Sequence, residues 1–410
     1  MQLVDASNGR HLWAERFDRL YREFFALQDE VIAEVVAAVS VNLTPGELER
    51  IERPPTQSLE AYDGYLRAEQ TGLLGNYGQL HETMAMYRNA IELDPEFSEA
   101  YAGLARIAVE GWRRDYSDLI QGGTARDIAY QNASKALKID PANGRAYSVL
   151  SLLQLADGHH DIAIQSARRA VELSPGQAQS HLDLGLVLAL AGHPTEGLET
   201  INTVLRLNPK PSADTLLYAG VVTFFNDNWV KAAEYLHLAP EHRGNTDIVW
   251  TYLAAAYGLL GDSESADYAL GGLLKDYPNL SIEYFKALHA YIRPREQLQK
   301  LLGGLKSAGL PQWAFGHEGN AAYRIKHDEL TQLTLGRTWF GNHLNGAEFI
   351  QQFSATGSMA YGSQHSLQTS GTMPLPGLHM DSIWALITIY QHSGNPKIGI
   401  RQIFQINNRE

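Results

Sequence analysis

Apolar and polar positions alternate on both sides of Asn8-Gly9 in "LVDASNGRHLWAERFDR", residues 3–19. Alternation with period two around a pair that tolerates positive φ predicts a two-stranded β-hairpin with a tight turn. Such a hairpin is marginal in water unless a sheet takes it up, and the segments that follow offer no partner strand. The period then changes. In "FFALQDEVIAEVVAAVSVNL", Leu27, Val31, Val35 and Val39 fall four apart with Ile32 and Val36 beside them, the apolar stripe of an amphipathic helix. "TPGELERIERPPTQS" is polar and broken by Pro45, Pro54 and Pro55, and its second half predicts a linker.

Beyond it the pattern repeats. "AIELDP", "ALKIDP", "AVELSP" and "VLRLNP" end at Pro95, Pro141, Pro175 and Pro209, and the last three prolines are 34 residues apart, the tetratricopeptide period. The unit ending at Pro141 carries 12 extra residues around "RRDYSDLIQGGT", and Pro240 and Pro278 continue the series less regularly. Each unit is expected to be two antiparallel helices, with small residues where they cross and a proline ending the second. The residue before proline is Asp, Ser or Asn in the four clearest units, a position that pre-proline sterics push out of the α region. Trp250, Ala254, Tyr257 and Ala266 stand at bulky and small positions of the unit ending at Pro278, so the two aromatic residues read as core and not as a ligand-stacking pair. "SIEYFKALHAYIRPREQLQKLLGGLKSAGLP" (281–311) reads as a last, degenerate helical pair able to cap the stack.

From about residue 326 the helical stripe is lost. "LTLGRTWFGNHLNGAEFIQQFSATGSMAYGSQ" is rich in Gly, Thr and aromatic residues, and "IWALITIYQHSGNPKIGIRQIFQINN" has the β-branched density of two strands around Ser393-Gly394-Asn395-Pro396. The expected fold class is therefore mainly α: a tetratricopeptide-repeat α-solenoid with an N-terminal β-hairpin and a small β-rich C-terminal domain. The boundaries are 1–57 for hairpin, helix and linker, 58–311 for the solenoid, 312–325 for a second linker and 326–410 for the β-rich part.

Composition narrows the function. A chain of 410 residues with 44% hydrophobic residues has ample material for two or three domains. A net charge of -13 argues against nucleic acid and anionic membranes as partners, since both need concentrated positive charge. The absence of cysteine removes disulfides, thiolate metal sites and Cys nucleophiles. Asp5, Arg10 and Glu15 interrupt any signal-like apolar core, and a cytoplasmic location is expected.

Candidate chemistry is sparse. Phosphate-loop, H-E-x-x-H and G-x-S-x-G motifs are absent. His159-His160-Asp161 reads as a polar turn between two helices, because adjacent side chains point apart and a metal would need further ligands. His237 and His242 flank Pro240 and read the same way, and Asp115 and Asp118 belong to a solvated acidic loop. No catalytic, cofactor-binding or metal-ligating residue is assigned. The first helix of each pair should line the concave side of the stack, which places Arg106, Ser148, Leu152, Leu182 and Leu186 on a candidate peptide-binding groove. Its Leu and Ala content fits an apolar helix or extended segment as ligand; filling by neighbouring helices of the same chain remains the alternative.

"LVDASNGRHLWAERFDRLYREFFALQDEVIAEVVAAVSVNLT" resembles the end of the TolB-like amino-terminal domain of bacterial class III adenylate/guanylate cyclases that also carry tetratricopeptide repeats. "SLEAYDGYLRAEQ" is similar to the entry into their repeat array, "REQLQKLLGGLKSAGLP" to its exit, and "GAEFIQQFSATGSMAY" to the small domain that follows it in some members. That small domain usually has cysteines near its end, which this chain lacks. The resemblance implies that the hairpin is the last piece of an α/β domain whose earlier strands lie upstream, so that the chain is a fragment, a truncated product or the downstream half of a split system. It implies a non-catalytic interaction or scaffold module of a bacterial signalling protein, binding other proteins or an upstream effector. The alternatives are the regulatory half of a cyclase whose catalytic domain lies elsewhere, and the regulatory module of a transcription regulator. The metal-binding aspartates of such cyclases belong to a catalytic domain that has no counterpart in this sequence. Oligomeric state is left open.

Overall fold

The computed structural model describes residues 55–72, 77–113, 125–208, 210–239, 246–276, 280–289 and 291–312, together with short N-terminal and C-terminal segments. Fourteen helices lie among them. They are α1 (Leu59–Gly72), α2 (Tyr77–Leu93), α3 (Ser98–Arg113), α4 (Ala125–Ile139), α5 (Gly144–Ala156), α6 (His160–Leu173), α7 (Ala178–Leu190), α8 (Pro194–Leu207), α9 (Ala213–Phe225), α10 (Trp229–Leu238), α11 (Thr246–Leu260), α12 (Ser263–Asp276), α13 (Ile282–Leu288) and α14 (Arg295–Ser307). Consecutive helices from α1 to α12 pack as six hairpins, units one to six, and the second helix of each unit packs on the first helix of the next. The extra residues of the second unit fall between α3 and α4, and Asp115 and Asp118 lie outside the described residues.

Two kinds of turn make the stack regular. Between units, Asp94, Asp140 and Asn208 each accept a hydrogen bond from the backbone N–H two residues on, at 3.0, 2.9 and 3.1 Å. This side-chain turn is what Asp and Asn offer the backbone where a helix stops. Within units, the first helix ends in a left-handed residue: Gly158, Gly192, Asp227 and Gly261 all have positive φ. The following N–H reaches back five residues, from His159 to Gln154, His193 to Leu188, Asn228 to Thr223 and Asp262 to Tyr257. That 6→1 bond satisfies carbonyls left over at the helix end, and glycine suits it because no Cβ opposes the left-handed backbone. Asp227 is the non-glycine member of the series.

Small residues set how closely helices cross. A Cβ on Gly185 of α7 would lie 2.8 Å from the Ile201 side chain of α8 and 3.1 Å from the Gly197 carbonyl. One continuous core runs through the stack, from Leu80 and Tyr87 to Leu301 and Leu310. Trp250 and Tyr257 are partly buried against it, and Trp250 meets the exposed ring of Tyr268 edge-on at 5.6 Å.

The last helical pair departs from the repeat. α13 is seven residues long and makes limited contact with α14, which packs chiefly along α11. The cause is a double-glycine crossing: a side chain at Gly304 would strike the Ala255 backbone, and one at Gly258 would strike Gly304. The start of α13 is pinned to the chain leaving α14, Ile282 N–H donating to Pro311 O at 2.9 Å and Glu283 N–H to Gln312 O at 3.2 Å.

Outside the solenoid, β1 (Gln2–Val4) and β2 (His11–Ala14) pair antiparallel with a register shift after Leu3; the Asn8-Gly9 turn lies outside the described residues. Leu27, Glu30, Val31, Glu34 and Val35 are helical. Near the C-terminus, β3 (Thr338–Asn342), β4 (Glu348–Phe353), β5 (Met359–Ser363) and β6 (Ser366–Gln368) form an antiparallel meander, and β7 (Ala385–Leu386) pairs with β8 (Ile403–Phe404). The turn at 393–396 lies outside the described residues. Among the described residues no helix is long and apolar enough to cross a membrane.

Gly185→Val should lower stability by about 1–3 kcal/mol through overpacking at the α7–α8 crossing. Urea denaturation reads the shift in midpoint, and an unchanged midpoint would contradict the crossing geometry.

Candidate functional site

The first helices of successive units present their inner faces to one another, and on that face charged residues are buried. Asp183 of α7 is 0% exposed, in the otherwise apolar run "HLDLGLVLAL". Its carboxylate takes Arg106 of α3 as an ion pair, accepts from Ser148 Oγ of α5 at 2.7 Å and Gln179 Nε2 of its own helix at 3.0 Å, and accepts from the Tyr218 hydroxyl of α9 at 3.3 Å. Four consecutive units thus converge on one carboxylate. Arg106 reaches past unit three to unit four, and Glu110, one helical turn on, stands 3.7 Å from its guanidinium. Burial would lower the Arg106 pKa, but the Asp183 carboxylate more than offsets it and holds the guanidinium above its ordinary value.

A second set repeats the device one step earlier. Arg145 of α5 pairs with Glu69 of α1, again skipping a unit, and lies 3.5 Å from the Tyr65 hydroxyl; the Tyr87 hydroxyl of α2 donates to Glu69 at 2.5 Å. Asn143 caps α5 by accepting from Ala146 N–H at 2.9 Å while its amide donates to Ser98 Oγ at 2.9 Å and Glu99 at 3.1 Å. Burial pushes the Glu99 carboxyl up from its usual range and raises the Tyr65 and Tyr87 phenols likewise; Arg145, nearby, opposes each of these shifts.

The residues expected to line a peptide groove lie here. Arg106, Ser148, Leu152, Leu182 and Leu186 are at most 8% exposed. Arg106 and Ser148 both bond to Asp183, and the three leucines belong to the continuous core. Asp183, which completes the cluster, is missed by reading groove positions alone; its isolation among apolar residues is the signal that marks it.

The histidines divide. His159 is exposed ahead of α6, whereas the neighbouring His160 Nε2–H donates to the Tyr291 carbonyl at 2.5 Å. His237 Nε2 and the Tyr257 hydroxyl share a hydrogen bond of 2.5 Å, and His242 lies outside the described residues. Among the described residues no group of three His, Asp or Glu side chains is placed to hold a metal. His289, which follows α13, donates from Nδ1–H to Phe285 O over 3.1 Å, stacks on the Phe285 ring at 5.6 Å and lies 5.9 Å from the Tyr291 ring. Burial pushes its imidazole down to about 4.

No protein-family model matches the chain. Over 153 residues, 37% of its length, it is 35% identical to putative adenylate cyclase 3 of Rhizobium meliloti (strain 1021). The match takes in 25% of that protein, so the chain spans about a quarter of the length of the curated relative it matches. Solved structures with similar chains include PilF of Pseudomonas aeruginosa (22% identity, 53% of this chain and 93% of that one, TM-score 0.36). A thermophilic TPR protein of Thermus thermophilus is 20% identical (49% and 99%, TM-score 0.37). YrrB, a TPR protein described as having an unusual peptide-binding site, is 24% identical (48% and 96%, TM-score 0.28).

Asp183→Ala strands a buried guanidinium and should cost about 3–5 kcal/mol, whereas Arg106→Met with Asp183→Leu should recover most of it; chemical denaturation of the single and double variants decides. The pH dependence follows from His289. Between pH 6.5 and about 4 His289 binds a proton in the unfolded chain that it refuses in the folded one, so its contribution to stability falls as pH drops through that window. His289→Asn should flatten that part of the stability profile, and an unaltered slope would count against it.

Proposed function

We propose that this chain is a non-catalytic interaction scaffold, the repeat-bearing part of a cyclase-associated signalling system, which holds other proteins on the surface of its helical stack. The observation that carries the reading is the stack itself: six hairpins packed one on the next, with a buried ion pair between Arg106 and Asp183 and a partly buried one between Arg145 and Glu69.

The 35% identity over 153 residues to putative adenylate cyclase 3 favours a nucleotide-cyclase effector as the unit to which the scaffold is coupled. On this reading residues 1–57 are the end of a TolB-like domain and 326–410 a small β-rich domain, and the chain works in the cytoplasm without nucleic acid or membrane as partner. The net charge of -13 agrees with that choice of partners.

Purified chain with ATP and Mn2+ should produce no cyclic AMP. The remainder of the Rhizobium meliloti relative, without its matched 153-residue stretch, should associate with the chain saturably in sedimentation velocity. Nucleotide turnover by the chain alone would overturn the scaffold reading, and absent association would overturn the coupling to a cyclase.

A further inference from the structure

The segment from α13 to α14 crosses the solenoid in a way that no hairpin of the repeat does. Reading along it, Tyr291 O accepts from His160 at the start of unit three's second helix. Arg293 N–H donates to Leu190 O at the end of α7 over 2.8 Å, and Pro294 packs on Gly192, where a Cβ would stand 2.9 Å from its ring. Lys300 pairs with Asp227 in the turn of unit five, and Gly304 lies on Ala255 and Gly258 of unit six. One strap therefore touches four successive units along the edge where their two helices meet.

The strap has the properties of a ligand. Its buried side chains, Leu298, Leu301, Leu305 and Ala308, form one stripe with Gly304, while Arg295, Glu296, Gln299 and Lys306 face solvent. A helix of 13 residues with Gly303-Gly304 inside it is a poor helix by itself, since short helices are marginal and glycine is unfavourable in the interior. α14 is thus helical because it is seated. Its seat discriminates by shape: only a residue without a side chain passes the Ala255–Gly258 backbone, and Asp227, in place of the glycine of the other turns, supplies the charge for Lys300.

We propose that α14 is a displaceable intramolecular ligand, and that its seat on the unit three to unit six edge binds an amphipathic helix of a partner protein with a leucine stripe, a glycine at the crossing and a basic residue opposite Asp227. The inference deepens the scaffold reading by naming where a partner docks and what it must displace. Tethering gives the strap an effective concentration of about millimolar, so a partner helix competes only when it binds tightly or when the strap is released.

The test uses the full chain and a fluorescein-labelled peptide of residues 293–310. Gly304→Leu prevents the chain's own α14 from seating and leaves the seat unchanged, and His160→Ala with Lys300→Glu loosens the strap without touching the core. Both should bind the peptide at least tenfold more tightly than the native chain in fluorescence anisotropy. Gly258→Leu, which blocks the seat, should abolish binding in either background. The chain has no cysteine, so Asp227→Cys with Lys300→Cys joined by a bismaleimide locks the strap and should also prevent binding. Hydrogen exchange of the α14 amides should rise in the released variants and fall in the locked one. Equal peptide binding by native, released and locked chains, or variants whose α14 exchange has risen but that bind no peptide, would overturn the proposal. No cyclase or other partner enters these measurements, so their failure leaves the scaffold reading standing.

Discussion

The Asp183 carboxylate is the point on which the architecture turns. It is fully buried and is reached from α3, α5, α7 and α9, so that a side chain of one helix reports on the relative position of four units. A repeat protein is ordinarily a sum of nearest-neighbour interfaces. Here Arg106 and Arg145 each span an intervening unit, which adds a term between second neighbours and fixes curvature as well as contact. The strap adds a third constraint of the same kind, spanning units three to six from the other edge.

These constraints share a physical logic. A buried carboxylate or guanidinium is costly unless paired and hydrogen-bonded, so each of these residues tolerates only the arrangement that satisfies it. Apolar packing of Leu and Ala between helices is comparatively permissive about angle. The polar ties therefore select one superhelical geometry from those that the apolar faces allow.

The repeat was legible because its signals are local. Proline spacing and the Asp or Asn ahead of it act within a few residues, as in the backbone N–H groups that donate to Asp94, Asp140 and Asn208. The ties between units were not legible, because Arg106 and Asp183 lie 77 positions apart and each resembles an ordinary helix charge. The return of the strap is not legible in a degenerate final pair, although Gly303-Gly304 inside a helix is the sequence mark of a close backbone crossing.

The claim that second-neighbour ties bind the units into one body is tested most directly by native-state hydrogen exchange as a function of denaturant. The account predicts that the slowest amides of α3, α5, α7 and α9 converge on a single opening free energy and slope. Separate openings, each unit exchanging with its own slope, would contradict it.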